Sequence, residues 1–223
     1  MSVSSLVTYQ VKPGRMDDFL ASIREAKEVI EGLAVNLQSI HAFRAAVAGA
    51  NTGRVHVEFV YGDMSDWGET YVREMNDPDF NAMLSRATGP NSPAELIGRG
   101  LQAEIGPSAG SGTGSVIHAA VGTAKPGRMN DYLSLIDDIN GKVLEHGAER
   151  VRHLMMTAAG PLTGYIVALT EYRDMAALGE VWVSETNDPT YGPLIESIIG
   201  PDGPIVPQSQ AILTRLPLKR ATC

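Results

Sequence analysis

The chain repeats itself. Lys12-Pro13-Gly14-Arg15-Met16-Asp17-Asp18-Phe19-Leu20 returns as Lys125-Pro126-Gly127-Arg128-Met129-Asn130-Asp131-Tyr132-Leu133, an offset of 113. Further on, Thr52-Gly53, Tyr61, Asp63-Met64, Gly68-Glu69, Val72, Glu74 and Asn76-Asp77-Pro78 return as Thr163-Gly164, Tyr172, Asp174-Met175, Gly179-Glu180, Val183, Glu185 and Asn187-Asp188-Pro189, all at offset 111. A chain built this way is expected to fold as two copies of one unit. Its 223 residues suit two units of about 100–110 residues each. The expected boundaries are 1–105 and 115–223. Between them, Gly106-Pro107-Ser108-Ala109-Gly110-Ser111-Gly112-Thr113-Gly114 is expected to be a linker reaching ~15–18 Å as a flexible coil.

Within each half the periodicity changes in one order. Residues 3–11 and 116–124 alternate as strands, and the Pro-Gly after each turns the chain into a helix. Met16, Phe19, Leu20, Ile23, Ala26, Val29, Ile30 and Leu33 form one apolar stripe, answered by Met129, Tyr132, Leu133, Ile136, Ile139 and Val143. Two hairpins follow, 39–47 with 54–61 and 150–157 with 165–172. Asp63 and Asp174 stand where an N-cap belongs before a second helix. That helix breaks at Asn-Asp-Pro and restarts, and a last strand lies near 100–105 and 210–216. The order strand, helix, strand, strand, helix, strand, read twice, is α+β and ferredoxin-like.

Composition narrows the partners. Hydrophobic residues make up 43% of the chain and charged ones 20%, enough apolar material for packed cores. The 18 basic against 26 acidic residues give a net charge of -8, which disfavours nucleic acid and anionic membrane as partners. No apolar run approaches the ~18 residues that span a bilayer, and the N-terminus lacks a leader pattern, so a cytoplasmic protein is expected. The single cysteine, Cys223, excludes an intrachain disulfide and any multi-cysteine metal site.

Both halves resemble the dimeric α/β-barrel superfamily, on the Lys-Pro-Gly that ends each first strand and on the Pro with an aromatic two residues later, Pro78-Asp79-Phe80 and Pro189-Thr190-Tyr191. The resemblance implies two four-stranded sheets packed face to face, so a tandem copy implies a barrel completed inside one chain. It also implies a small aromatic or polyketide-like ligand between sheet and helices, in the manner of antibiotic-biosynthesis monooxygenases and polyketide cyclases. The haem-degrading relatives place Asn, Trp and His at positions held here by Val7 or Ala120, Glu74 or Glu185, and Leu84 or Ile195, so no haem or other cofactor is expected. The cyclase branch resembles this chain in a histidine on the first strand, His118, while its Tyr and His fall at Glu185 and Tyr191.

These positions give the candidate site. His118 shares a strand face with Ala120, Gly122 and Ala124, small residues that predict a roomier cavity in the second half than Ser5, Val7, Tyr9 and Val11 allow in the first. His118, Glu185 and Tyr191 are expected to be catalytic and to converge with Trp182. Tyr9, Tyr71, Glu74 and Trp182 are expected to contact substrate. A carboxylate at the repeated position Glu74/Glu185, desolvated by Tyr71 or Trp182, would serve as a general base in oxygenation or cyclisation. The alternative is a non-catalytic ligand-binding or stress-responsive barrel. His41, His56 and Glu58 share a sheet face with His41 diagonal to Glu58, so they could ligate a metal, although none is expected. Homo-oligomerisation is left open.

Overall fold

The structure is a computed structural model that describes residues 1–218; Cys223 lies outside the described residues. In chain order the elements are β1 (Val3–Val11), α1 (Met16–Leu33), β2 (Leu37–Val47), β3 (Val55–Tyr61), α2 (Met64–Asn76), α3 (Pro78–Thr88) and β4 (Ala94–Glu104), then a short β5 (Ala109–Gly110). The second series is β6 (Val116–Ala124), α4 (Met129–Glu145), β7 (Arg150–Ala158), β8 (Tyr165–Tyr172), α5 (Met175–Asn187), α6 (Tyr191–Ile199) and β9 (Ile205–Arg215). The turns that launch α1 and α4 need a left-handed residue, supplied by Gly14 (φ 73) and Gly127 (φ 75). Asp63 caps α2 by accepting from the backbone of Ser65 and Asp66, and Pro78 begins α3 where its missing N–H costs nothing.

The strands run in the order β4-β1-β3-β2-β9-β6-β8-β7, and β7 pairs back onto β4, closing an eight-stranded antiparallel barrel of the α+β, ferredoxin-like kind. The two seams are short. Phe43, Arg44, Ala45 and Val47 pair with Ile212–Arg215, and Leu101–Glu104 pair with residues between Leu154 and Ala158. Outside the seams, residues 94–100 of β4 and 205–211 of β9 pair only with β1 and β6, so they leave the barrel and lie against the helices. Residues 106–114 are not a free coil. β5 pairs with Val151 and Arg150 of β7, and the Gly112 amide donates to the Glu149 carbonyl, which satisfies backbone groups a free coil would leave to water.

Alternation along each strand sends one set of side chains into the barrel and the other towards helices. Phe43, Ala45, Ile117, Ala119 and Leu213 form the apolar part of the barrel interior. The rest of the interior is ionic. Arg152 donates from Nη1 to both oxygens of Glu58 at 3.2 Å and from Nε to Glu104 at 3.2 Å, while Ser4 and Gln102 complete the Glu58 carboxylate. Glu58 is 1% exposed; burial alone would raise its pKa, but Arg152 and the hydrogen bonds hold it below the ordinary carboxylate value. Among the described residues no helix is long and apolar enough to cross a membrane.

Removing one partner of a buried pair strands the other charge. Arg152→Met is therefore expected to cost about 3–5 kcal/mol in urea denaturation, and Glu58→Gln/Arg152→Met together less than the sum of the two single changes. Because the Glu58 pKa is depressed on folding, its stabilisation is present above the unfolded-state value and is lost as pH falls through the folded one.

Candidate active site

A cavity of about 690 Å³ lies in the first half, between the sheet and helices α1 and α3. Its inner wall is apolar, from Val7, Tyr9, Phe19, Phe59, Phe80 and Met83, and charged residues stand at its edge. Four small residues keep it open, Ser22 and Ala26 from α1, Ala87 from α3 and Ala94 from β4. At the repeat offsets, the second half has Leu135, Ile139, Ile198 and Ile205 in those places, and there they pack with Tyr132, Ile136 and Ile166 into a closed cluster. The first half thus has the room its counterpart fills with four branched side chains.

One end of the cavity is polar. Glu74 projects from α2 to its wall and is 2% exposed. Among the described residues no side chain within hydrogen-bonding or ion-pairing distance engages its carboxylate. Desolvation raises the Glu74 pKa, with the charge of Arg99 opposing. Tyr61 and Tyr9 stand at the same end, their phenols pushed up by burial and, for Tyr61, by Glu74 as well, so both are protonated donors at neutral pH. Arg99, on the free stretch of β4, donates from Nε to Ser5 Oγ at 3.0 Å and lies 5.9 Å from the centre of the Tyr71 ring. The arrangement offers one carboxylate with raised proton affinity, two hydroxyl donors and one cation beside an apolar chamber, a set able to move a proton and hold the resulting oxyanion.

Solved structures share this architecture. A proposed monooxygenase from Fusobacterium nucleatum aligns over 97% of this chain and 93% of its own, with a TM-score of 0.61 and 10% identity. An anthrone oxidase-like protein aligns over 100% of this chain and 97% of its own, with a TM-score of 0.55 and 8% identity. A chlorite dismutase mutant from Candidatus Nitrospira defluvii aligns over 97% and 91%, at 0.56 and 9%. The fold is that of the ferredoxin-like α/β barrels. No protein-family description and no curated protein matches the sequence. None of the five histidines lines the cavity, so the residues there do not offer the axial imidazole that a haem iron would take.

The expected convergence in the second half does not form. His118 meets Trp182 edge-on at 5.8 Å and approaches Gln210, whereas Tyr191 stands close enough to Glu185 for burial and that carboxylate to raise its pKa, and packs edge-on against His146. These are two separate pairs, and none of the four residues lines the first-half cavity. The room inferred from Gly122 is taken. A Cβ there would meet Ile205 Cγ2 at 2.6 Å and the Val206 carbonyl oxygen at 3.0 Å, because β9 presses onto that strand. Buried His153, bonded to Tyr132 at 2.7 Å and Asn140 at 2.9 Å, fills more of the space under α4. Of the expected substrate contacts, Tyr9 and Glu74 line the first-half cavity; Tyr71 stacks on Trp67 and meets Arg99 instead, and Trp182 is 41% exposed.

The His41, His56 and Glu58 set is likewise divided. His41 stands directly opposite Glu58 rather than diagonal to it. It accepts from Arg215 at 2.7 Å and its pKa is held down to about 4, by burial above all. His56 is bonded to Thr8 and Glu58 to Arg152, so the three lone-pair sets point at different partners. Arg99, Tyr61, Ala87 and Ala94 were not singled out from the sequence. A readable signal existed: continuing the offset of 111 past Pro78 sets Ala87 against Ile198, Ala94 against Ile205 and Arg99 against Gln210.

Restoring the larger side chains tests the origin of the cavity. Ala87→Ile/Ala94→Ile is expected to abolish fluorescence uptake of the neutral probe N-phenyl-1-naphthylamine while keeping or raising Tm, since filling a void commonly stabilises by about 0.5–2 kcal/mol. Undiminished uptake would show that the probe binds elsewhere.

Proposed function

We propose that the chain is a small-molecule enzyme of the oxygenase type whose aromatic or polyketide-like substrate occupies the first-half cavity, with Glu74 as general base. The observation that carries this reading is a carboxylate 2% exposed, without a side-chain partner among the described residues, at the wall of a 690 Å³ apolar chamber. Natural pockets for drug-sized ligands fall in this size range, and a desolvated carboxylate there keeps its affinity for a proton. The neighbouring folds named as a monooxygenase and an anthrone oxidase-like protein support the same class of chemistry.

The step balances without a resident cofactor. Glu74 removes a proton from an activated CH2 or a phenolic hydroxyl, and Tyr61 and Tyr9 hold the resulting enolate or phenolate. The carbanion reduces O2 and combines with it as a hydroperoxide. Glu74 returns its proton to the peroxide and then takes the second hydrogen of that carbon as a proton; the C–H electron pair becomes the C=O bond as the O–O bond breaks, and the proton leaves with the departing hydroxide as water. Phe19, Phe59 and Phe80 put apolar surface beside the reacting carbon.

Oxygen uptake with a panel of anthrones and hydroquinones tests the reading. Glu74→Gln is expected to lower kcat/KM by about 100-fold or more, whereas Glu185→Gln, at the counterpart position, leaves turnover within about 2-fold of the parent chain because it lies outside the cavity. Tight binding of the panel with no turnover by the parent chain would favour a ligand-binding barrel. The acidic limb of the pH profile should lie above the ordinary carboxylate range, because burial raises the Glu74 pKa. Arg99 stabilises the ionised form, so Arg99→Gln should move that limb to higher pH.

A further inference from the structure

We propose that the ligand of this cavity is an aromatic acid, and that Arg99 selects it by receiving its carboxylate. The inference rests on the reading of the first-half cavity as the substrate site and names the chemistry of what enters it. Three guanidinium groups line the cavity, those of Arg15, Arg86 and Arg99. Arg15 is bonded to Asp18, and Arg86 to Glu25, so both are neutralised at the cavity edge. Arg99 has no carboxylate within ion-pairing distance among the described residues. Its one side-chain bond, from Nε to the fully buried Ser5, fixes the plane of the group and leaves both terminal amino groups without a protein acceptor. The Tyr71 face supports that plane from one side.

A planar fork held in place with two open donors matches a carboxylate better than a single hydroxyl oxygen. Glu74 does not serve as that partner: it is near enough for Arg99 to influence its titration, yet no ion pair forms between them. The apolar part of the same ligand is set by Phe19, Phe59, Phe80 and Met83, whose faces suit a fused ring system. The counterpart in the second half sharpens the contrast. There Gln210, His118 and Trp182 stand at the positions of Arg99, Ser5 and Tyr71, and the side chain at the position of Arg99 carries no charge.

Fluorescence titration with 9-anthracenecarboxylate and with the neutral 9-anthracenemethanol separates the outcomes. The acid is expected to bind at least about 10-fold more tightly to the parent chain, with a preference that shrinks as salt is added. Arg99→Gln should bring the two affinities within about 2-fold, and Arg99→Lys should restore part of the difference. Arg99 is an exposed strand residue, and an unchanged Tm would show that the fold survives its substitution. Equal affinity for acid and alcohol in the parent chain, or a preference that persists in Arg99→Gln, would overturn the assignment. So would a preference that survives Ala87→Ile/Ala94→Ile, because the anion would then be held outside the cavity. Turnover enters none of these measurements, so a failed oxygenation assay leaves the assignment of Arg99 standing, and the converse holds.

Discussion

Glu58 and Arg152 belong to opposite four-stranded halves and stand 94 residues apart, yet they meet inside the barrel with both carboxylate oxygens engaged at 3.2 Å. Such a pair is tolerable only when water is excluded and every remaining lone pair is satisfied, which Ser4, Gln102 and Glu104 accomplish from β1 and β4. Five side chains from four strands must therefore arrive together, and that needs the β4–β7 seam shut. Near the β2–β9 seam Arg215 bonds to Glu171 of its own half at 2.8 Å and to His41 of the other half at 2.7 Å. The ionic interior thus links the closure of the barrel to the pairing of its two halves.

Closure in turn decides where a ligand can go. With much of the interior occupied by ions and by Phe43, Ile117 and Leu213, the larger room lies on the outer face of the first-half sheet, beneath the helices. The parts of β4 and β9 that run beyond the seams form one wall of that space in each half. Whether the space is open or filled then depends on side-chain volume alone. Ala94 and Ala87 leave it open on one side, and Ile205 and Ile198 close it on the other. The two sides differ in what fills them: one has a chamber with a titratable end, and the other a packed core with His153 held neutral inside it by burial.

Much of this was legible in the residues. The alternation at 3–11 and 116–124, the apolar helical stripes, the Asp caps and the Asn-Asp-Pro breaks fixed the order of elements, because each of those signals is local. The repeated glutamate was also visible as a position of interest. What could not be read was which copy of it faces a cavity. Gly122 and Ala124 announced space on their own strand, but whether that space stays empty depends on Ile205, more than 80 residues further on, and the strand cannot report it. The same holds for His41 and Glu58: sharing a face was readable from alternation, while the direct register and the arrival of Arg215 and Arg152 from the other half were not.

The sequence by itself determined the two-fold order of strands and helices, the positions where helices start and stop, and the apolar faces that must be buried, since these follow from backbone preferences and periods of 2 and 3.6 residues. Tertiary structure decided the rest. It closed the barrel through pairings between residues 50 or more apart, gave the interior to ion pairs rather than to a metal-ligand set, and opened the cavity in the first half. Those outcomes depend on the volumes and charges that distant elements bring to one point, and a local pattern carries no information about what will meet it there.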